Sequence, residues 1–161
     1  MIGLRMTNLA DKLIEQAKRH PYFHLEGYME RYWLTPFSPD NSQNTRIHHI
    51  LSSDKDRIFH DHSWESTSII LKGGYWEIMP GDQGQDPSFD DINYISIWRA
   101  PGDVVSRKAL TRHRIELPEG KTSWSMFIMG KYENKWGFYT PEGKVYWREY
   151  LNEEERKSED E

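Results

Sequence analysis

His60-Asp61-His62 and a lone His113 are the residues of this chain best suited to chemistry. Side chains on a β-strand alternate, so His60 and His62 point to one face and Asp61 to the other. A third imidazole arriving from another strand would complete three nitrogen donors around one divalent cation, at about 2.0–2.1 Å each for zinc. Imidazole suits zinc, iron, copper and nickel alike. Glu65, three residues beyond His62, adds an oxygen ligand only if its strand bends or bulges. An ordinary His-x-His on a strand has the same spacing, so spacing leaves the metal site and the structural pair both open. His48-His49 are adjacent and must face opposite sides of a strand, so one of them can line a pocket. His20 and His24 flank the end of a helix and read as structural or exposed.

Other residues could support such a site. Tyr75 and Glu77 share a strand face. Glu77 is a candidate acid/base, or an acceptor for an imidazole N–H; the plainer reading is a charged residue at a barrel mouth. Arg107 and Arg114 could grip a carboxylate or phosphate through paired bonds, or serve as ordinary ion pairs. Trp64, Trp76, Trp98 and Trp124 could line a pocket or fill a core. Gly73-Gly74 is a turn that needs unusual backbone angles. It does not open a helix, so it is no phosphate loop. No Gly-x-Ser-x-Gly nucleophile motif is present.

These residues need elements to position them. Leu9, Leu13, Ile14 and Ala17 fall at helical spacing and predict a helix over Asn8 to Arg19, capped by Thr7 or Asn8 and stopped by Pro21. From Tyr28 onward the pattern changes to short runs rich in β-branched and aromatic residues. They are Tyr28–Leu34, Arg46–Leu51, Ile58–His62, Ser66–Leu71, Tyr75–Met79 and Tyr94–Arg99, then Val104–Lys108, Thr111–Leu117, Ser123–Met129, Trp136–Tyr139 and Val145–Tyr150. Turn signals such as Pro101-Gly102-Asp103 and Pro141-Glu142-Gly143 separate many of them. That pattern predicts an all-β sandwich or barrel. Residues 81–91 read as a mobile loop. The expected division is an N-terminal helical segment over 1–25, packed outside, a β-barrel over 26–151, and a charged tail over 152–161.

Composition bounds what the protein can be. A chain of 161 residues is one domain with room for a core. Aromatic residues make up 14% of it, which argues for a folded, pocket-forming protein. The net charge is −5, and residues 153–161 hold six acids against two bases, so the body is nearly neutral. It lacks the basic footprint of a nucleic-acid binder. Cysteine is absent, which excludes disulfides, thiolate metal sites and a cysteine nucleophile, and fits a cytoplasmic protein. No apolar run is long enough to predict a membrane span.

The stretch from Arg46 to Tyr150 resembles the cupin superfamily, in particular small single-domain cupins of bacterial and phage genomes. His60-Asp61-His62-Ser63-Trp64-Glu65 and Ile69-Ile70-Leu71-Lys72-Gly73-Gly74-Tyr75-Trp76-Glu77 resemble the first cupin motif, a His-x-His followed by a Glu and then a Gly. Pro101-Gly102-Asp103 and Arg107-Lys108-Ala109, leading to His113, resemble the second. Trp136-Gly137-Phe138 completes the likeness. Two departures stand out: Glu65 comes early for the acidic ligand, and the Pro-Gly turn lies far from its histidine.

The resemblance implies a double-stranded β-helix, the cupin jelly-roll barrel, with His60, His62 and His113 as metal ligands and Glu65 as a fourth. None of the three histidines is followed two residues on by Asp or Glu, so the two-His-one-carboxylate triad of 2-oxoglutarate enzymes is not expected. A three-histidine centre implies a mononuclear dioxygenase acting on a small polar molecule. Iron(II) is the first choice, with zinc, nickel or manganese as alternatives. Glu77, Tyr75 and Arg107 are the candidate catalytic residues. The competing readings are a metal-independent isomerase or epimerase, with a histidine base and a tyrosine acid, and a non-catalytic ligand-binding or host-interaction module. Nucleic acid and membrane are not expected partners; a homodimer is.

Overall fold

The computed structural model describes residues 2–40, 43–54, 58–83 and 93–150. Helix α1 (Ile2–Ala17) comes first. It begins earlier than the sequence pattern predicts and runs through Gly3. Thr7 is therefore no cap; its hydroxyl donates to the Gly3 carbonyl one turn back, at 2.8 Å. The buried stripe runs through Ala10, Ile14 and Ala17, while Leu9 is 55% exposed.

Among the described residues twelve strands follow: β1 (Pro21–Leu25), β2 (Met29–Trp33), β3 (Asn44–Ile50), β4 (Phe59–His60), β5 (Trp64–Lys72), β6 (Tyr75–Pro80), β7 (Tyr94–Arg99), β8 (Val104–Arg107), β9 (Arg114–Glu116), β10 (Ser123–Tyr132), β11 (Gly137–Thr140) and β12 (Gly143–Tyr146). Residues 21–25, expected in the helical segment, are thus an edge strand of the large sheet. The last predicted run splits. β12 ends at Tyr146, and Trp147–Tyr150 form one helical turn, α2, whose Trp147 stacks on Trp136 at 5.4 Å and 6°. Residues 84–91 of the predicted loop and the tail from 152 lie outside the described residues.

The large sheet has the order β1-β2-β3-β10-β5-β8. Its two faces are used in an unusual way. The apolar alternates point outward, where Tyr32 and Ile47 form a core with Ile14 and Ala17 of α1, flanked by Leu71, Trp124 and Met126. The opposite alternates, among them Arg46, His48, Ser68 and Ser125, line an interior cavity. Two three-stranded sheets, β12-β11-β4 and β7-β6-β9, make up the rest. They are joined by an isolated antiparallel bridge between His60 and His113. A second apolar cluster of Ile50, Ile70, Tyr75 and Ile115 packs inside.

Gly73 and Gly74 turn β5 into β6 with φ of 84° and 89°. A Cβ on Gly73 would lie 2.2 Å from the Thr122 carbonyl, so neither the angle nor the space admits a side chain. Among the described residues no helix is long and apolar enough to cross a membrane.

Candidate metal centre

The bridge that joins the two small sheets is made by two of the predicted ligands. The His60 N–H donates to the His113 carbonyl at 2.9 Å, and the His113 N–H returns the bond at 3.0 Å. Residues paired this way across antiparallel strands present their side chains to the same face. β4 ends at His60, so His62 lies just past the strand instead of within it. Its N–H is held by the Ala109 carbonyl at 2.9 Å, which keeps it on the side of His60. The three ring centroids are 4.7, 4.9 and 5.1 Å apart. One ring nitrogen from each lies within 4.8 Å of the others.

Two of the three histidines have a carboxylate behind the ring. His113 Nδ1 lies 2.6 Å from Glu77 Oε2. Glu77 is fully buried and also accepts from Arg107 and from Arg99, whose Nε and Nη2 are 3.1 and 2.7 Å from Oε1. Burial alone would raise the Glu77 carboxyl. The His113 hydrogen bond and the two guanidiniums outweigh it and hold the group well below the usual carboxylate range. Burial pushes His113 down to about 4, with Arg107 and His60 adding to the effect and Glu77 opposing it. At neutral pH the ring is therefore uncharged; it donates Nδ1–H to Glu77 and turns the Nε2 lone pair away. Burial, then His113 and His60, hold His62 well below its ordinary value too. Behind His60, Asp54 Oδ2 stands 3.5 Å from Nδ1. Asp54 is itself fixed by the Ile115 N–H at 2.7 Å and by the Tyr28 hydroxyl.

Asp61 turns away from the three rings, toward β11 and β12. It is fully buried and takes four donors: Gly137 N at 2.9 Å, Asn134 Nδ2 at 3.1 Å, the Tyr139 hydroxyl at 2.8 Å and Lys144 Nζ at 2.7 Å. It locks the histidine segment to β11 and β12. Burial and Asp61 together raise the Tyr139 phenol.

The residues fit a divalent cation. Nδ1 of His62 and Nε2 of His113 are buried without a protein hydrogen-bond partner, while His60 turns Nδ1 to Asp54 and leaves Nε2 for the shared site. Unmet buried polar atoms are costly and rare. Three imidazoles without sulfur suit a first-row divalent metal.

All three histidines line one cavity of about 1030 Å³, together with Tyr75 and Arg107. Tyr75 accepts from Arg107 Nη2 at 3.2 Å, and Arg107 Nη1 donates to Ser68 at 2.9 Å. Glu77 sits behind this wall and not at a mouth. Glu65 is not brought to the histidines. The β5–β10 register shifts between Ser66 and Trp64, but the extra residue is on β10 and β5 keeps its alternation, so Glu65 is exposed on the outer face and Ser66 turns inward instead. Arg114 pairs with Glu116 and lies outside the cavity lining. Trp64 lines the cavity, Trp124 packs under α1, and Trp76 and Trp98 pair on an exposed face. His48 lines the cavity, stacked on Phe127 at 4.8 Å; His49 faces out, against Trp124 and Glu30. The chain's His-x-Glu, His24-Leu25-Glu26, is not part of the group, and His24 Nδ1 accepts the Arg31 N–H. Asp54, Arg31 and Arg46 carry no motif and are found from the fold alone.

No protein-family model and no curated protein matches the sequence. Solved structures do. A cupin 2 conserved barrel domain protein from Rhodopseudomonas palustris is similar with a TM-score of 0.53 and 12% identity, over 77% of this chain and 78% of that one. The DMSP lyase DddQ from Ruegeria pomeroyi DSS-3 gives 0.52 and 20%, over 72% of this chain and 54% of the other. Hydroxypropylphosphonic acid epoxidase from S. wedmorenis gives 0.52 and 11%, over 70% and 56%. The chain thus spans little more than half the length of the latter two. With its paired sheets, its external helix and its interior histidines, this chain has the cupin fold.

Proposed function

We propose that the protein is a metal-dependent cupin that binds one divalent cation, iron(II) before others, through His60, His62 and His113. It uses the cation to oxidise a small polar molecule with dioxygen. One observation carries this reading: three imidazoles, two of them with a buried nitrogen that has no partner, converge on the wall of a large cavity. A further solved structure of similar fold, HppE with Fe(II), at a TM-score of 0.51 and 11% identity, supports the choice of metal. The group contains no carboxylate, which supports chemistry without an oxoacid cosubstrate.

When bound, the cation would supply one-electron chemistry and open coordination positions. The chain's own residues do the rest. Glu77 is a positioning residue: it orients His113 and fixes its tautomer. Arg107 keeps Glu77 ionised and holds the Tyr75 hydroxyl at the cavity wall. Burial raises the Tyr75 phenol, so it remains a proton donor at neutral pH. Asp61 and Asp54 hold the histidine segment from the opposite side.

The test is nitric oxide added anaerobically to iron(II)-loaded protein, read by electron paramagnetic resonance. The expected result is a high-spin iron–nitrosyl signal that is lost in His113→Ala, with oxygen uptake that does not depend on 2-oxoglutarate. Iron bound at one per chain with no nitrosyl signal would mean a closed site and would end the oxygenase reading. Redox-neutral turnover without metal would turn attention to the isomerase alternative.

A further inference from the structure

We propose that the cavity takes a planar molecule of fused aromatic rings, with a hydroxyl or carbonyl oxygen at its histidine end. The polar reacting group of the oxygenase reading then sits on a flat, apolar body. Which end reacts rests on that reading; the ring site does not.

The lining sets the class of occupant. Twelve of the 32 described residues that line the cavity are Phe, Tyr or Trp, over a third, against 14% of the whole chain. Four are aliphatic: Leu25, Met29, Ile50 and Ile115. The walls are thus built from flat ring faces more than from the branched carbon surface that would pack an acyl chain. Strand alternation puts the rings there. Trp64 on β5 and Phe127 on β10 share the inward side of their strands with Ser68 and Ser125, which also line the cavity.

The rings form two walls that meet the histidines from different sheets. On the large sheet, Phe127 lies 5.9 Å from His62, stacks on His48 at 4.8 Å and 21°, and meets Trp64 at 6.3 Å. On the small sheet, Phe138 pairs with His60 across β11 and β4, with ring centroids 5.8 Å apart, and Trp136 stands 6.1 Å from His60. Trp136 is held in turn by its stacking on Trp147. All of these rings line the cavity. A flat molecule beside the histidines is therefore offered aromatic contact from both sheets. On the same cavity wall the Tyr75 hydroxyl accepts from Arg107 and keeps its own proton to donate to a ligand oxygen.

An ordinary aromatic core would use the same rings, but here they leave room. The cavity is about 1030 Å³, whereas about 150 Å³ is enough to hold benzene. Trp64, Trp136 and Phe138 stay only half-buried although they line the interior. Two further lining rings lie where the cavity meets solvent: Phe37 is 59% exposed and Tyr132 65%. Phe37 rests against Trp33 at 5.2 Å. Large rings around an open space forgo packing contacts and meet water, and a flat apolar occupant removes both costs. A small polar molecule without a ring body would reach the histidines and leave most of these faces uncovered.

The test titrates 2-naphthol, decahydro-2-naphthol and phenol calorimetrically into chelator-stripped full-length protein, so that no metal can capture the hydroxyl. The first two share a carbon skeleton and differ in flatness and ring faces; phenol keeps the face and loses a ring. With one aromatic contact from each wall, 2-naphthol should bind at least about fivefold more tightly than decahydro-2-naphthol, and more tightly than phenol. Phe127→Leu and Trp136→Leu keep an apolar side chain and lose a ring, so in at least one of them that preference should fall by about twofold or more. A cooperative thermal melt certifies that a variant is folded. If neither variant folds, the preferences of the unaltered protein decide. A smaller preference over decahydro-2-naphthol, phenol bound as tightly as 2-naphthol, no binding of 2-naphthol, or a preference unchanged in every variant that folds overturns the ring site. The aromatic preference in a protein that takes up no metal would sink the oxygenase reading and leave the ring site standing; metal uptake without the preference would do the reverse.

Discussion

Replacing Glu77 with Gln removes one negative charge from the centre of the fold and changes almost nothing in volume. The carboxylate serves three groups: Arg99 on Oε1, and Arg107 and His113 on Oε2. The amide keeps one acceptor oxygen and puts an N–H where a second acceptor was. Arg107, whose side chain is 4% exposed, cannot turn to water for compensation, whereas Arg99 at 20% partly can. Removing one partner of a buried ion pair costs about 3–5 kcal/mol, and the retained oxygen favours the lower end, about 3 kcal/mol. For a chain of this size each kcal/mol moves Tm by about 2–4 °C, so a fall of roughly 6–12 °C is expected. His113 loses its tautomer lock at the same time, which should weaken metal binding about 10- to 100-fold. The assays are thermal melts of stripped protein and zinc titration against a chromophoric chelator. A Tm within about 2 °C of the unaltered protein, together with unchanged zinc affinity, would refute the positioning role.

Stripped protein should lose stability as pH falls from about 6.5 toward about 4. Unfolded imidazoles take up protons below about 6.5, while folded His113 does so only near about 4. The unfolded state therefore binds more protons in that window, and a Tm that stays flat across it would contradict the argument. Asp61→Asn should cost about 2–4 kcal/mol in chemical denaturation, because a neutral amide replaces a buried acceptor of four donors, among them Lys144. An Asp61→Asn protein with unaltered stability would show that β4 is not held from this side. Glu65→Ala should leave metal content unchanged, since that side chain is on the outer face; loss of metal would put Glu65 back in the site.

His60 and His62 were legible as a pair from their spacing, although β4 ends at His60 and it is the Ala109 carbonyl that holds His62 beside it. Their partner across the bridge, His113, was legible only through the resemblance, since no spacing rule says which strand pairs with β4. Glu65 depended on a distortion that turns its side chain inward; the irregularity at that point puts its extra residue on β10 instead, and β5 keeps its alternation. The start of α1 was misread because a threonine looks like a cap wherever a helix-forming run happens to precede it. Val145 to Tyr150 alternates like a strand, but stacking of Trp147 on Trp136 turns it into a helical end. Arg31 and Arg46 were invisible for a deeper reason. An arginine on a strand ordinarily reads as an outward residue, but α1 covers the outer apolar face here and leaves the polar alternates to line the interior.

The most direct test of the metal centre is elemental analysis of protein purified without chelators, beside His60→Ala, His62→Ala and His113→Ala. The account predicts about one divalent ion per chain in the unaltered protein and a loss of at least about tenfold in affinity in each variant. A folded protein that takes up no divalent metal, or variants that hold it as tightly as the unaltered chain, would contradict it.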